Sequence, residues 1–427
     1  MLFLALAGFQ ACLGCTTKKD KASTPAEEAE LKNQLSLARK EGIPTTIKEF
    51  EATLTKLKPE ENAAKYYMEL DQIQRKRRQA LIKTQSVEYS VLWSSDKAVI
   101  EKAKAVLADH SETLAVIDKA TALPGCSFPR KWDDGLYILT PELWHLRNFS
   151  RLLVIRAGVH AQEGRHDQAV SDIKKIQIIG QHLLQDGIMT EASVAQAIEA
   201  IGKASAQELC FRFRNEKGYV ELLKNWESSE SRIPAYLSLR AYRFNLVEFL
   251  ISMDQIQKDG NSSSLPLTPE DQSSLGGAFT SLISQAKAKT NIVQGFRYQW
   301  TILKKIAVDD VPAKELDSNW KVASHTIYQG LIRFPDLAKV YDALSSDDSI
   351  SQRIKQFRGR QIVNRALLRA LEQKVIPTEI KTEDLISPFT GKPLIYAFDG
   401  SRITIDIGEK NDDKSPRLFV CPPKRNP

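Results

Sequence analysis

The chain is poor in the residues that usually carry metal and thiol chemistry. Its 427 residues include five cysteines and six histidines. Cys12, Cys15, Cys126, Cys210 and Cys421 make no CxxC…CxxC pair, and no histidine stands beside them at ligand spacing. That pattern excludes a zinc ribbon or finger. There is no HExxH, GxSxG, GxxxxGK[ST] or GxGxxG, so zincin, serine-hydrolase, P-loop and dinucleotide-binding chemistry lack their signatures. The apolar run Met1–Gly14 is too short for a spanning helix, which takes about 20 residues. Charge is not one-sided either. Sixty basic residues are mixed with 53 acidic ones, net +7, and this balance argues against nucleic acid, which needs a concentrated basic face. The densest basic run, Arg75-Lys76-Arg77-Arg78, reads as a solvated helix face, with phosphate or anionic-lipid contact as the sharper alternative.

What is present begins at the N-terminus. MLFLALAGFQACLG has the length of a signal-peptide core and runs into Cys15, after which TTKKDKAST is polar. Gly14 directly before Cys15 resembles a bacterial lipobox, although Cys12 stands where leucine is usual. The resemblance implies that residues 1–15 are a signal sequence, that Cys15 is lipidated and becomes the mature N-terminus, and that residues 16–24 are a tether. The expected partner is then a membrane, reached through the lipid, and the expected place is the cell envelope outside the cytoplasm. Ordinary secretion to the periplasm or medium, or an uncleaved anchor, is the alternative.

The rest of the chain has helical periodicity. Thr24-Pro25 with Glu27 and Glu28 is a helix start, having a cap, a first-turn proline and acids near the positive dipole end. Gly42-Ile43-Pro44 stops that helix. Phe149–Cys210 is the longest stretch in which apolar spacing and turn chemistry agree, and it predicts three helices in series. The first carries Phe149, Leu152, Leu153, Ala157 and Ala161. Gly164 turns into a second with Val170, Ile173, Ile176 and Leu183, and Asp186-Gly187 leads to a third with Val194, Ala195, Ile198 and Ile201. Lys258–Gly277 is rich in Ser, Gly, Pro and Asp and reads as a linker. After Asp348 a further helix gives way to period-two alternation, Leu394/Tyr396/Phe398 and Ile403/Ile405/Ile407, around an Asp399-Gly400 turn. The expected fold is mainly α: an irregular antiparallel helical array over 25–257 and 278–347, joined by a linker over 258–277. A C-terminal module over 348–427 completes it, a helix on a small three-stranded antiparallel β-sheet.

The Gly164/Ala169 spacing resembles half of a tetratricopeptide repeat, giving one TPR-like hairpin without a second copy at that period. PEENAA at 59–64, RLLVIRAGVHAQEGRHDQAVSDI and SPFTGKPLIY at 387–396, in that order, resemble an uncharacterised family of mostly helical exported proteins of planctomycete-type bacteria. SPFTGKPLIY and the residues C-terminal to it also resemble the head of type II secretion pseudopilins. These resemblances imply architecture and export, and carry no activity to transfer.

Three groups of residues are candidates for chemistry. Asp406, Glu409, Asn411, Asp412 and Asp413 place five oxygen donors in a segment read as a loop after a strand, enough to surround Ca2+; a plain charged turn is the alternative. Cys126, Phe128, Trp132 and Tyr137 lie in a Pro- and Gly-rich loop, Leu123–Glu142, which is either packed on the helices or an aromatic-lined ligand cleft. Glu60/Glu61 and Asp133/Asp134 are carboxylate pairs whose ordinary reading is solvated charge, and His160 and His166 flank a helix turn where interhelical hydrogen bonding is expected. The function expected from all this is an envelope protein with a structural or protein-interaction role, its protein partner unspecified and no resident cofactor required. The alternatives are an extracytoplasmic hydrolase with carboxylates gathered from separate helices, or an accessory part of a secretion pilus.

Overall fold

The computed structural model describes residues 22–76, 91–92, 94–138, 140–186, 188–229, 237–259, 284–308, 313–331, 341, 350–373, 375–410 and 416–421. Cys15 with its signal segment, most of the 258–277 linker and Asn411, Asp412 and Asp413 lie outside the described residues, as do Arg77 and Arg78 of the basic run. Among the described residues the chain is mostly helical, with a small antiparallel sheet near the C-terminus.

Helix α1, Pro25–Lys40, starts as its sequence directs. The Thr24 hydroxyl accepts from the Glu27 N–H while Glu27 accepts from the Thr24 N–H, a reciprocal capping box. Gly42 ends it in the left-handed region, φ +84°, where only glycine is unstrained. A short α2, Ile47–Glu51, comes next, then α3, Ala64–Lys76, α4, Lys97–Asp109, and α5, Ser111–Thr121. The Phe149–Cys210 stretch forms the expected three helices: α6, Pro141–Gln162, α7, His166–Leu183, and α8, Met189–Arg212. Gly164 turns α6 into α7 at φ +75°, with the Arg165 N–H closing on the His160 carbonyl at 2.8 Å.

These three helices are the centre of the main core. Leu152, Leu153, Ala157, Ile173, Ile176, Ala195 and Ile198 are fully buried at their contacts, with α3 and α5 packed alongside. Each leucine and isoleucine among them contributes about 1.5–3 kcal/mol by leaving water. Val194 and Ile201, expected on the same stripe, are half-buried at its edge. Helix α9, Lys217–Ser229, closes over α8 by laying Trp226 on Gly202. A second core joins α1 to α10, Leu239–Asp259, α11, Gln285–Val308, and α12, Ala313–Leu331. In that core a Cβ on Gly295 would stand 2.8 Å from the Ala323 carbonyl, and one on Gly330 2.6 Å from the Ala288 carbonyl.

Helix α13, Ile350–Leu371, and strands β1, Ile395–Phe398, β2, Ile403–Lys410, and β3, Pro416–Cys421, form the expected C-terminal module in the order β1-β2-β3. Phe398 faces Ile403 and Ile405 faces Phe419 in the antiparallel ladders. Ile403, Ile405 and Ile407 alternate inward and belong to the main core. The module is therefore packed on the helices by shared apolar surface. Gly359 of α13 allows this closeness: a Cβ there would meet Ile407 Cδ1 at 2.6 Å.

One site expectation is corrected by the sheet. Asp406 and Glu409 do not sit in a loop after a strand, because β2 runs on through Lys410. Asp406 Oδ1 turns back to accept from the Gly408 N–H at 2.6 Å, at a bulge where Gly408 has φ +71°. Glu409 is buried on the strand's other side. The two carboxylates thus point apart, as period-two geometry requires of residues three apart in a strand. Among the described residues no helix is long and apolar enough to cross a membrane.

Candidate functional site

The Leu123–Glu142 loop is where helix ends and buried charge converge. Of the four residues named for a cleft, the three whose side chains are described follow the packed reading of the loop. Cys126, Phe128 and Trp132 are all in the core. Trp132 stacks edge-on with Phe50 and Phe244, ring centres 4.9 and 5.1 Å apart. Phe128 lies 6.2 Å from the Tyr67 ring. Tyr137 belongs to the short 3-10 helix Trp132–Tyr137 by its backbone, and its side chain lies outside the described residues. The physical reason is hydrophobic: large apolar side chains gathered in one loop are stabilised most by covering the ends of neighbouring helices. Burial also raises the Cys126 thiol far above its ordinary value, so it stays an inert, free SH.

The loop is held by polar contacts to its neighbouring helices. The Cys126 N–H donates to Gln185 Oε1 at 2.5 Å and the Phe128 N–H to Asp186 Oδ2 at 2.8 Å. Arg130 Nη2 donates both to Glu142 Oε1 and, at 2.6 Å, to Glu191 Oε1. The guanidinium also lies 4.6 Å from the centre of the Phe128 ring. Glu142 is in the first turn of α6 and Glu191 in the first turn of α8. Each acid therefore sits at the positive end of its helix dipole, which favours its negative charge by roughly 0.3–1 kcal/mol.

The group is nearly dry. Arg130, Glu142, Glu191 and Asp186 all have less than a tenth of their surface exposed. Burial pushes the Glu191 carboxyl up to about 8, with Asp186 and Glu142 adding repulsion and Arg130 opposing. Burial also raises Asp186, against the Phe128 N–H bond. For Arg130, burial works against the charge, but the bond to Glu142 and the attraction of both glutamates outweigh it, so the guanidinium stays cationic.

This convergence is what the sequence did not disclose. Glu142, Asp186 and Glu191 are far apart in the chain, and each is unremarkable alone. In the sequence Glu142 closes the segment read as a loop, and nothing near Glu191 sets it apart. The carboxylate pairs singled out from the sequence behave as plain surface groups instead. Glu61 caps its own turn by accepting from the Lys58 N–H, and Asp134 lies 3.8 Å from Lys131 at the surface. His166 makes the expected interhelical bond, its Nδ1 3.0 Å from the Tyr219 hydroxyl, while His160 Nδ1 lies 3.0 Å from Asp172 Oδ2 without hydrogen-bond geometry.

A second charged network closes the other side of α6. Arg156 bonds Asp118 through both terminal nitrogens and also reaches Asp172, while Lys175 adds a bond to Asp118 at 2.7 Å. It ties α5, α6 and α7 together, with both carboxylates taken up by cations. Among the described residues, no three metal-ligating side chains are grouped so as to hold a metal ion. The chain matches no protein-family model, no curated protein and no solved structure.

Proposed function

We propose that the protein is an exported, lipid-anchored component of the cell envelope that binds or braces other proteins. The N-terminal run ending in Gly14-Cys15, with a polar stretch directly after it, supports export and anchoring. Cys15 would bear the lipid, residues 16–24 would act as a tether, and the membrane would be the first partner. The helical surface, including the TPR-like α6–α7 hairpin, would supply the protein contacts. Secretion without a lipid is the alternative outcome at the same step.

The observation that weighs most for a non-catalytic role is the fate of the converging carboxylates. A carboxylate-based hydrolase needs its two acids open to substrate. Glu142 and Glu191 instead share one nitrogen of Arg130 in the core and clamp a loop. Anchoring is tested by growth with labelled palmitate. The wild-type protein is expected to take up label and to sediment with membranes, and Cys15→Ala to do neither; an unlabelled wild-type protein refutes the lipid anchor.

A further inference from the structure

We infer that Glu191 carries a proton in the folded protein and that losing this proton releases the 123–138 segment from the ends of α6 and α8. The geometry supports this through a charge count in a dry space. Glu142 from α6 and Glu191 from α8 contact one buried guanidinium, and the buried carboxyl of Asp186 from the α7–α8 turn lies within its electrostatic reach. The positive ends of α6 and α8 add about half a charge each. Three negative charges then face roughly two positive ones. Arg240 of α10, bonded to the Gln185 carbonyl at 2.7 Å, attracts Asp186 from the exposed edge of the group, where water screens much of its charge and none of it is directed at Glu191 by a contact.

The surplus falls on Glu191. It has no exposed surface, and its Oε2 is shut off from solvent without a hydrogen-bond partner. A bare carboxylate oxygen in such a place is far costlier than a neutral one. Glu142 likewise has its Oε1 on Arg130, but its Oε2 is not a buried oxygen left without a partner. On the loop, Lys131 is exposed and lies beside Asp134 at 3.8 Å, so it does not supply the missing charge. The Cys126 thiol is neutral, and Glu248 of α10 is itself pushed up to about 8 by burial.

The sign comes from linkage. The folded value for Glu191, about 8, lies above the ordinary 4.5. Its contribution to closure is whole below about pH 4.5, weakens as pH rises, and is gone above about 8. When the proton leaves, the charge is best served by water, and water reaches Glu191 when the loop carrying Arg130, Phe128 and Trp132 lifts. The structure thus contains a latch that is shut in mildly acidic surroundings and loosened in alkaline ones.

Hydrogen exchange read by mass spectrometry on the full chain tests this, with rates corrected for the intrinsic effect of pH. Peptides covering 123–138 are expected to open at least about tenfold more at pH 8.5 than at pH 6, since one proton gives up to tenfold per pH unit. Peptides in α11 and α12 serve as the reference. Glu191→Gln, neutral at both pH values, is expected to remove the difference. Equal protection of 123–138 in the wild type at both pH values overturns the latch, and so does a pH-dependent opening that persists in Glu191→Gln. If that variant fails to fold, the wild-type comparison decides alone.

Discussion

At the scale of single residues, His182 shows how the core treats a titratable side chain. Its Nε2 faces the Leu123 carbonyl at 3.0 Å, which can only accept, so Nε2 carries the proton and Nδ1 accepts from the Tyr67 hydroxyl at 2.8 Å. Burial lowers His182 to about 4, holding it neutral. Its share of stability is therefore present above about pH 6.5 and is lost as pH falls through 4. Tyr67→Phe leaves Nδ1 buried without a donor and is expected to cost about 1–3 kcal/mol in urea unfolding at pH 7. A cost under about half a kcal/mol would mean that the bond is not holding α3 to α7. Glu208 is the opposite case. Its two carboxyl oxygens are shielded from solvent without partners, and burial raises it to about 8. Charging it works against the fold, so stability falls as pH climbs from about 4.5 to 8. Glu208→Gln should raise stability at pH 8.5 by on the order of 2–4 kcal/mol and change it little at pH 5. A variant no more stable than wild type at pH 8.5 contradicts that reading.

At the scale of elements, close helix crossings depend on glycine. The α11–α12 pair is the clearest, with Gly295 against Ile327 and the Ala323 carbonyl, and Gly330 against Ile292 and the Ala288 carbonyl. Backbone atoms cannot yield as a side-chain tip can, so an added methyl must push the helices apart. Gly295→Ala is expected to destabilise by about 1–3 kcal/mol, outweighing the gain in helix propensity. A raised melting temperature in that variant would show that the two helices have room for the methyl. Much of this level was legible in the sequence. The Thr24 cap, the Gly42 stop, the three helices of Phe149–Cys210 and the alternation at 403–407 are local signals, and each forms its element within a few residues. The strand end was misread because Glu409 and Lys410 look like turn residues, while the bulge at Gly408 lets the strand continue past them.

At the scale of the whole molecule, what the sequence hid was convergence. No local pattern shows that Arg130 will meet Glu142 and Glu191, or that Arg156 will hold Asp118 and Asp172 together; those meetings arise from how the helices stack. The same holds for the loop residues Cys126, Phe128 and Trp132. Their apolar character fits a cleft or a core equally well until α2 and α10 bring Phe50 and Phe244 over Trp132 as cover. The buried carboxyls as a set also give the molecule a direction in pH. Glu191, Glu208 and Glu248 are each raised to about 8 by burial, so alkaline conditions draw on all three. The neutral His182 opposes strong acid. Stability is expected to peak in mildly acidic solution, and a melting temperature that rises steadily from pH 6 to pH 9 would contradict this.

The claim on which the proposed role rests is that the chain reaches its place by a lipid on Cys15. Intact mass spectrometry of the protein extracted from membranes of the cells that make it measures this directly. The account predicts a mature chain that begins at Cys15 and carries a thioether-linked diacylglyceryl group. A chain that keeps Met1, or that starts at another residue with no added lipid mass, would contradict it.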